Sequence, residues 1–344
     1  MALVAAGGAD ARALKMMWDA GPDHRSGELA TMRSLHVDVL ELAINWADVA
    51  AARPGNPTDP GDPAYQWSSA TDLLVSQARA QHMRVAIQLV GAPGWANGGR
   101  PSVWAPTSPA DYADFATAAA RHFRGVHLWM IWGEPSGAAR FQPLTPQTVF
   151  DGRPLTARER IAPHTYARLL DGAYGALKAQ SSANLVVGGM SYVVGDIRAV
   201  NWVKNLRLPN GRPPRMDLYG HNPFSAREPN LANPPSPQEA VDLSDLARFQ
   251  LVVDQYLAWP RGRRTIRLFL SELTIPTGPD PEFNFYTTPA VQARWIPRAF
   301  EVARAVNAFG LGWIHLYDIS GRTEGGLIDA HGRPKPGYAA FRRA

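Results

Sequence analysis

Eight short, nearly continuous apolar runs alternate along the chain with longer stretches in which apolar positions recur every three or four residues. The runs are Ala13–Trp18, Val37–Ile44, Arg84–Val90, Val126–Trp132, Asn184–Gly189, Met216–Gly220, Thr265–Ser271 and Leu311–Leu316. Runs of this kind read as strands of a parallel sheet buried on both faces, and the stretches between them read as crossover helices. Some helices are punctuated. Thr107-Ser-Pro-Ala-Asp111 offers a cap and an early proline before Tyr112–Phe123, and Gly125 ends that helix; Thr288-Pro289 opens another, which Gly310 closes. Eight such units predict an α/β fold closed as a (β/α)8 TIM barrel. An open doubly wound sheet is the alternative, but no Gly-rich phosphate-binding turn follows the first strand.

The length of 344 residues suits one such barrel, and no Pro/Ser-rich linker or charge block divides it. Residues 13–344 are therefore expected to form a single barrel behind a tail of residues 1–12. A composition of 45% hydrophobic and 19% charged residues is that of a globular protein with a large core. The net charge of +5 does not imply nucleic acid: the cations are dispersed, almost all are Arg, and the densest cluster is only Arg261-Gly-Arg-Arg264. With no cysteine, disulfides, thiolate metal sites and a Cys nucleophile are excluded. No run reaches the roughly 18 apolar residues of a membrane span, so no membrane partner is expected. The start, Met1-Ala-Leu-Val-Ala-Ala-Gly-Gly, lacks a basic n-region and reads as a plain tail or as the stub of a removed leader. A secreted or cell-surface location is slightly favoured.

Chemistry in such a barrel belongs where strands end and βα loops begin. Two runs end there on glutamate: Trp129-Met-Ile-Trp-Gly-Glu-Pro135 and Leu268-Phe-Leu-Ser-Glu272. A carboxylate is costly to bury, and Asn, Ser or Gly closes a strand as well, so Glu134 and Glu272 read as a pair converging on one cleft. Around them stand Trp18 and Asp19, Asn45 and Trp46, Gln88 and Trp95, Trp132, His221 and Asn222, and Trp313. Aromatic platforms mixed with hydrogen-bonding side chains suit sugar rings, which offer apolar C–H faces and polar hydroxyls. No spacing of His, Asp or Glu is diagnostic of a metal, and neither a metal nor a cofactor is expected.

At these residues the chain resembles the clan A glycoside hydrolases, most of all family 39, with family 5 next. The likeness runs through Pro60-Gly-Asp-Pro-Ala-Tyr-Gln-Trp67, Ala92-Pro-Gly-Trp-Ala96, Gly133-Glu-Pro135, Ser271-Glu272 and Gly326-Leu-Ile-Asp-Ala-His-Gly-Arg-Pro-Lys-Pro-Gly-Tyr338. The resemblance implies a retaining enzyme that hydrolyses β-type O-glycosidic bonds in an oligo- or polysaccharide, with Glu134 as acid/base and Glu272 as nucleophile; an acid/base must rest protonated, and Trp132 with Trp95 are the candidates for the apolar wall that would keep Glu134 so. Three positions depart from the pattern: Gly133 stands where the clan has Asn, Glu41 where it has a supporting Arg, and Phe224 where it has Tyr. Tyr286, in the loop after the seventh strand, is the candidate to replace that phenol, and Lys15 is the expected partner of Glu41.

Each candidate has a plainer reading. The tryptophans, Trp104 included, also serve as packing; His221 also satisfies a backbone carbonyl; Asp19, Asp318 and Glu41 read better as structural pairs than as a metal site. His36, His82, His122 and His331 are expected as solvated turn residues. Long inserts at 136–161, 225–239 and 274–288 are expected to wall the cleft, and their Arg140, Arg227 and, nearby, Arg322 are candidates to meet a uronate. A carbohydrate-binding barrel without catalysis is the alternative function, and a metal-dependent lyase a more distant one.

Overall fold

The computed structural model describes residues 12–19, 21, 27–258, 265–281, 283–319, 321–322 and 324–344. Eight parallel strands close into a barrel in sequence order, the first pairing with the eighth. They are β1 (Leu14–Trp18), β2 (Val39–Asn45), β3 (Arg84–Val90), β4 (Leu128–Ile131), β5 (Leu185–Tyr192), β6 (Leu218–Asn222), β7 (Leu268–Leu273) and β8 (Gly310–Trp313). The helices are α1 (Glu28–Ser34), α2 (Trp46–Val49), α3 (Ser69–Ala80), α4 (Gly94–Asn97), α5 (Pro109–His122), α6 (Ile161–Gln180), α7 (Ala199–Asn205), α8 (Leu246–Leu257), α9 (Pro289–Ala305) and α10 (Pro336–Arg343). The predicted (β/α)8 architecture is thus the observed one. Residues 1–11 and the Arg261–Arg264 cluster lie outside the described residues. Among those described, no helix is long and apolar enough to cross a membrane and no group of three or more His, Asp or Glu could hold a metal.

Alternation along each strand sorts side chains between the barrel interior and the helix layer. Residues paired across a parallel ladder share a face, so the interior layer can be followed from Trp18 to Glu41, to Ala86, to Leu128. Met16, Val39, Met130, Val187 and Phe269 fill the rest of the barrel interior with apolar contact. Lys15 has the opposite parity. It points out to α10, where its Nζ donates to the carbonyls of Phe341 at 2.7 Å and Arg342 at 3.0 Å. The expected Lys15–Glu41 pair is therefore absent, because the two side chains leave the sheet on opposite faces.

Strand and helix ends differ from expectation where backbone geometry intervenes. Trp132, expected in β4, has φ 64°, and this left-handed turn ends the strand at Ile131. α9 stops at Ala305, with Asn307 rather than Gly310 in the left-handed turn. Gly310 opens β8 instead, where a Cβ would stand 2.7 Å from Met16 Sδ. His36 and His82 lie exposed in left-handed turns and His331 is exposed, as expected. His122 differs: it stacks on Trp67 at 4.4 Å with Nε2 2.7 Å from Asp72.

Candidate active site

At the C-terminal mouth of the barrel lies a cleft of about 400 Å³ walled by β1 to β4, the loops after β3 and β4, and the end of β7. Trp18, Asn45, Gln88, Trp132, Glu134 and Glu272 from the sequence-based set all line it. Glu134 leaves a turn in which both it (φ 45°) and Trp132 (φ 64°) are left-handed. Non-glycine residues in this region carry roughly 1–3 kcal/mol of strain each, and such strain clusters where a side chain must be aimed for function. Glu272 is aimed differently. Leu270 pairs with Leu311 and Leu273 with Trp313, so three steps on β7 match two on β8. That extra residue is a bulge, and it lets consecutive residues escape strict alternation: Ser271 faces the interior while Glu272 reaches the cleft.

Glu134 is held from two sides. Asn222 Nδ2 donates to its Oε1 at 2.9 Å, and Arg140 Nε stands 3.8 Å from Oε2. Burial, then the charge of Glu134, push the Tyr192 phenol up to about 12, so Tyr192 stays a neutral neighbour. Trp132 fixes its ring by donating Nε1–H to the Arg140 carbonyl at 2.8 Å, which ties the loop carrying Arg140 to the turn carrying Glu134. On the far side, Trp18 Nε1 donates to the Ser271 carbonyl at 3.2 Å, anchoring the residue before Glu272.

Beneath the cleft the departures from the clan pattern acquire physical form. Glu41 is fully buried; its Oε2 accepts from Ser271 Oγ at 2.7 Å and its Oε1 has no hydrogen-bond partner. Burial first, and the nearby Glu272 charge next, raise its pKa well above the usual carboxyl range, so Glu41 is a neutral acid under the nucleophile candidate. Gly312 makes room for it, since a Cβ there would come within 2.5 Å of Oε1. Gly133 makes room in the same way for Gln88, whose Oε1 would stand 2.7 Å from a Cβ at position 133. Gln88 is only 7% exposed and its Nε2 has no hydrogen-bond partner. An amide from β3 therefore occupies the space that a side chain before Glu134 would need.

Several expected cleft residues lie elsewhere. Trp46 is buried in the helix layer, stacked on Phe115 at 5.3 Å with its edge met by Trp95. Trp95 donates Nε1–H to the Ala50 carbonyl and is covered by the Arg53 guanidinium at 5.2 Å, so it is no wall for Glu134. Trp313 shares its outward face with Met17, packs on Phe341 of α10, and donates to the Gly325 carbonyl. His221 has the opposite parity to Asn222: it packs on Phe249 of α8 and bonds Ser191 Oγ and the Val241 carbonyl, each at 2.9 Å. Desolvation there takes its pKa down to about 4, so it is a neutral structural group. Asp19 accepts from the Gly21 amide beside a separate groove with Leu73 and Leu74. Tyr286 is 61% exposed and does not line the cleft, and Phe224 packs on Phe283. Arg227 is engaged by Asp242 and Asp245. Ser102 and Val103 line the cleft from an irregular loop that carries no periodic signal in the sequence.

No protein-family model matches the chain, and comparison with curated proteins finds no match. Solved structures do match. A family 39 glycoside hydrolase from Bacteroides cellulosilyticus WH2 superposes with a TM-score of 0.65 at 16% identity, over 96% of this chain and 63% of its own. A family 39 β-xylosidase from Caulobacter crescentus gives 0.64 at 16% identity, over 99% and 72%. A family 5 endoglucanase from Clostridium acetobutylicum gives 0.59 at 12% identity, over 96% of both chains. This chain thus spans about two thirds of the length of its family 39 neighbours. At such identities the likeness is one of fold, and function has to be argued from the site.

Proposed function

We propose that the chain is a retaining glycoside hydrolase acting on a β-type O-glycosidic bond of a carbohydrate. The observation that carries this reading is that Glu134 and Glu272, from the ends of β4 and β7, line one cleft and are each fixed by a local backbone irregularity. Two carboxyl groups flanking one sugar are what double displacement needs. Glu272 attacks the anomeric carbon as carboxylate while Glu134 gives its proton to the leaving oxygen, which departs as an alcohol. Glu134, now a carboxylate stabilised by Asn222 and Arg140, takes a proton from water, whose oxygen attacks the same carbon and frees Glu272. Trp18 offers an apolar face to the sugar, and Asn45 and Gln88 offer amides to its hydroxyls.

The test begins with a panel of aryl glycosides and polysaccharides, products followed by NMR. On a cleaved substrate, Glu272→Ala is expected to lower turnover by orders of magnitude, and azide to restore it with formation of the inverted glycosyl azide. Glu134→Ala is expected to spare glycosylation by substrates with good leaving groups and, with azide, to give the retained product. Full activity in Glu272→Ala overturns the assignment of the nucleophile. Binding without cleavage across the panel favours the silent barrel instead.

A further inference from the structure

A second groove opens on the same rim, between the ends of β5, β6 and β7, and its walls are mostly apolar, with Val193, Val194, Phe224, Phe283 and Phe285 against a polar side of Arg227, Ser236 and Asp242 and with Asn284 exposed at the lip. At about 590 Å³ it is larger than the cleft beside it. Phe224 meets Phe283 at 5.1 Å, and Phe283 meets Phe285 at 6.2 Å, so an aromatic corner forms one side. Val194 remains 51% exposed.

Two strand ends join this groove to Glu134. On β6, Asn222 bonds Glu134 and, two residues on, Phe224 enters the groove. On β5, Tyr192 feels the charge of Glu134, and Val193 and Val194 follow directly into the groove, Val193 N–H bonding the Asn222 carbonyl. The groove thus follows directly from two neighbours of Glu134 and shares no lining residue with the β1–β4 cleft. An acid that protonates a leaving oxygen stands between the glycone and the departing group, so the glycone belongs in the cleft and the leaving group on the groove side.

The polar groups of the groove decide what fits. Arg227 spends its donors on Asp242 Oδ1 and Oδ2, Asp245, Ser236 Oγ and the Pro234 carbonyl, and Asp242 Oδ1 also accepts the Ser244 amide. A second sugar would set most of its hydroxyls against phenyl rings, since Arg227 and Asp242, the charged groups of the groove, are largely engaged with each other and their neighbours. From this we infer that the groove is a leaving-group site for an apolar aglycone, aryl or alkyl, and that the substrate is a glycoside of such an alcohol rather than a plain polysaccharide. This rests on the glycosidase reading, and the binding test is chosen to be independent of it.

The probes are 4-methyl-, 4-ethyl-, 4-propyl- and 4-butylphenol, titrated by NMR against wild type, Glu272→Gln, Phe224→Ser/Phe283→Ser and Val194→Arg. The last variant fills the groove from an exposed position and guards against misfolding of the double variant. Wild type and Glu272→Gln are expected to gain about three- to fourfold in affinity per methylene, the usual increment for burying one. The double variant and Val194→Arg are expected to lose that slope. On any glycoside that is cleaved, kcat/KM is expected to rise by the same factor per aglycone methylene in wild type and not in Val194→Arg. No length dependence in wild type, or the same slope in Val194→Arg, overturns the site. Intact slopes in a protein that cleaves nothing leave the apolar groove standing and remove the glycosidase reading.

Discussion

Glu41 shows what one buried residue does when its environment decides its charge. A carboxyl in the barrel interior, with a single hydroxyl donor and another carboxylate near it, is held neutral by desolvation. Its folded pKa lies above the unfolded one, so its contribution to stability is complete below the ordinary value near 4.5 and is lost as pH rises toward the folded pKa. Gln is nearly isosteric with the protonated acid and does not titrate. Glu41→Gln is therefore expected to match wild type in thermal stability near pH 4.5 and to exceed it increasingly toward pH 8, by a few degrees, at about 1–2 °C per kcal/mol for a chain of this size. Thermal scans across that range decide it, and a constant offset at every pH would mean that Glu41 is already ionised in the fold.

At the level of elements, parity explains what the sequence made legible and what it hid. The eight strands stand out because both faces of each are buried, which leaves near-continuous apolar runs. Among the candidates that line the cleft, Trp18, Asn45 and Gln88 share the interior parity that the register carries from β1 through β3. Trp313 and His221 sit at equally suggestive strand ends with the outward parity, and a strand end alone does not reveal which face a residue takes. Trp46 begins α2 and turns into the helix layer, which the residue type gave no means to foresee. The bulge that brings Glu272 to the cleft is likewise silent in sequence, since it depends on the register of β7 against β8.

Lys15 belongs to this scale as well, as a cation placed at the last turn of α10. Lys15→Met is expected to leave the Glu41 site intact and to loosen α10, costing about 1–2 kcal/mol for two lost charge-assisted bonds offset by the apolar replacement. Hydrogen exchange is the reading that separates this from a general loss of stability: faster exchange confined to residues 336–343 supports the anchor, and uniform change across the barrel argues against it.

Across the whole molecule, two desolvated imidazoles, buried His221 and half-buried His315, add to the loss of stability in acid. His221 and His315 both have pKa values lowered to about 4, by desolvation first; at His221 its two hydrogen bonds and the Asp245 charge oppose the shift, and at His315 the Asp280 charge does. In the unfolded chain each takes a proton near 6.5, so between roughly pH 6.5 and 4 the unfolded state binds more protons and stability falls on acidification, by up to about 3 kcal/mol per imidazole. Glu41 acts with the opposite sign at higher pH, so stability is eroded from both directions. The acid loss reaches the cleft. His221 is chain neighbour to Asn222, which holds Glu134, and its Ser191 and Val241 bonds fix the end of β6. His221→Gln keeps a donor and an acceptor but no titrating group. Wild type is expected to be the more stable protein at pH 7.5 in urea unfolding, and its advantage to shrink steadily by pH 4.5. An advantage that stays constant with pH would mean that His221 is not held neutral, and the loss of stability in acid would then have to come from other groups.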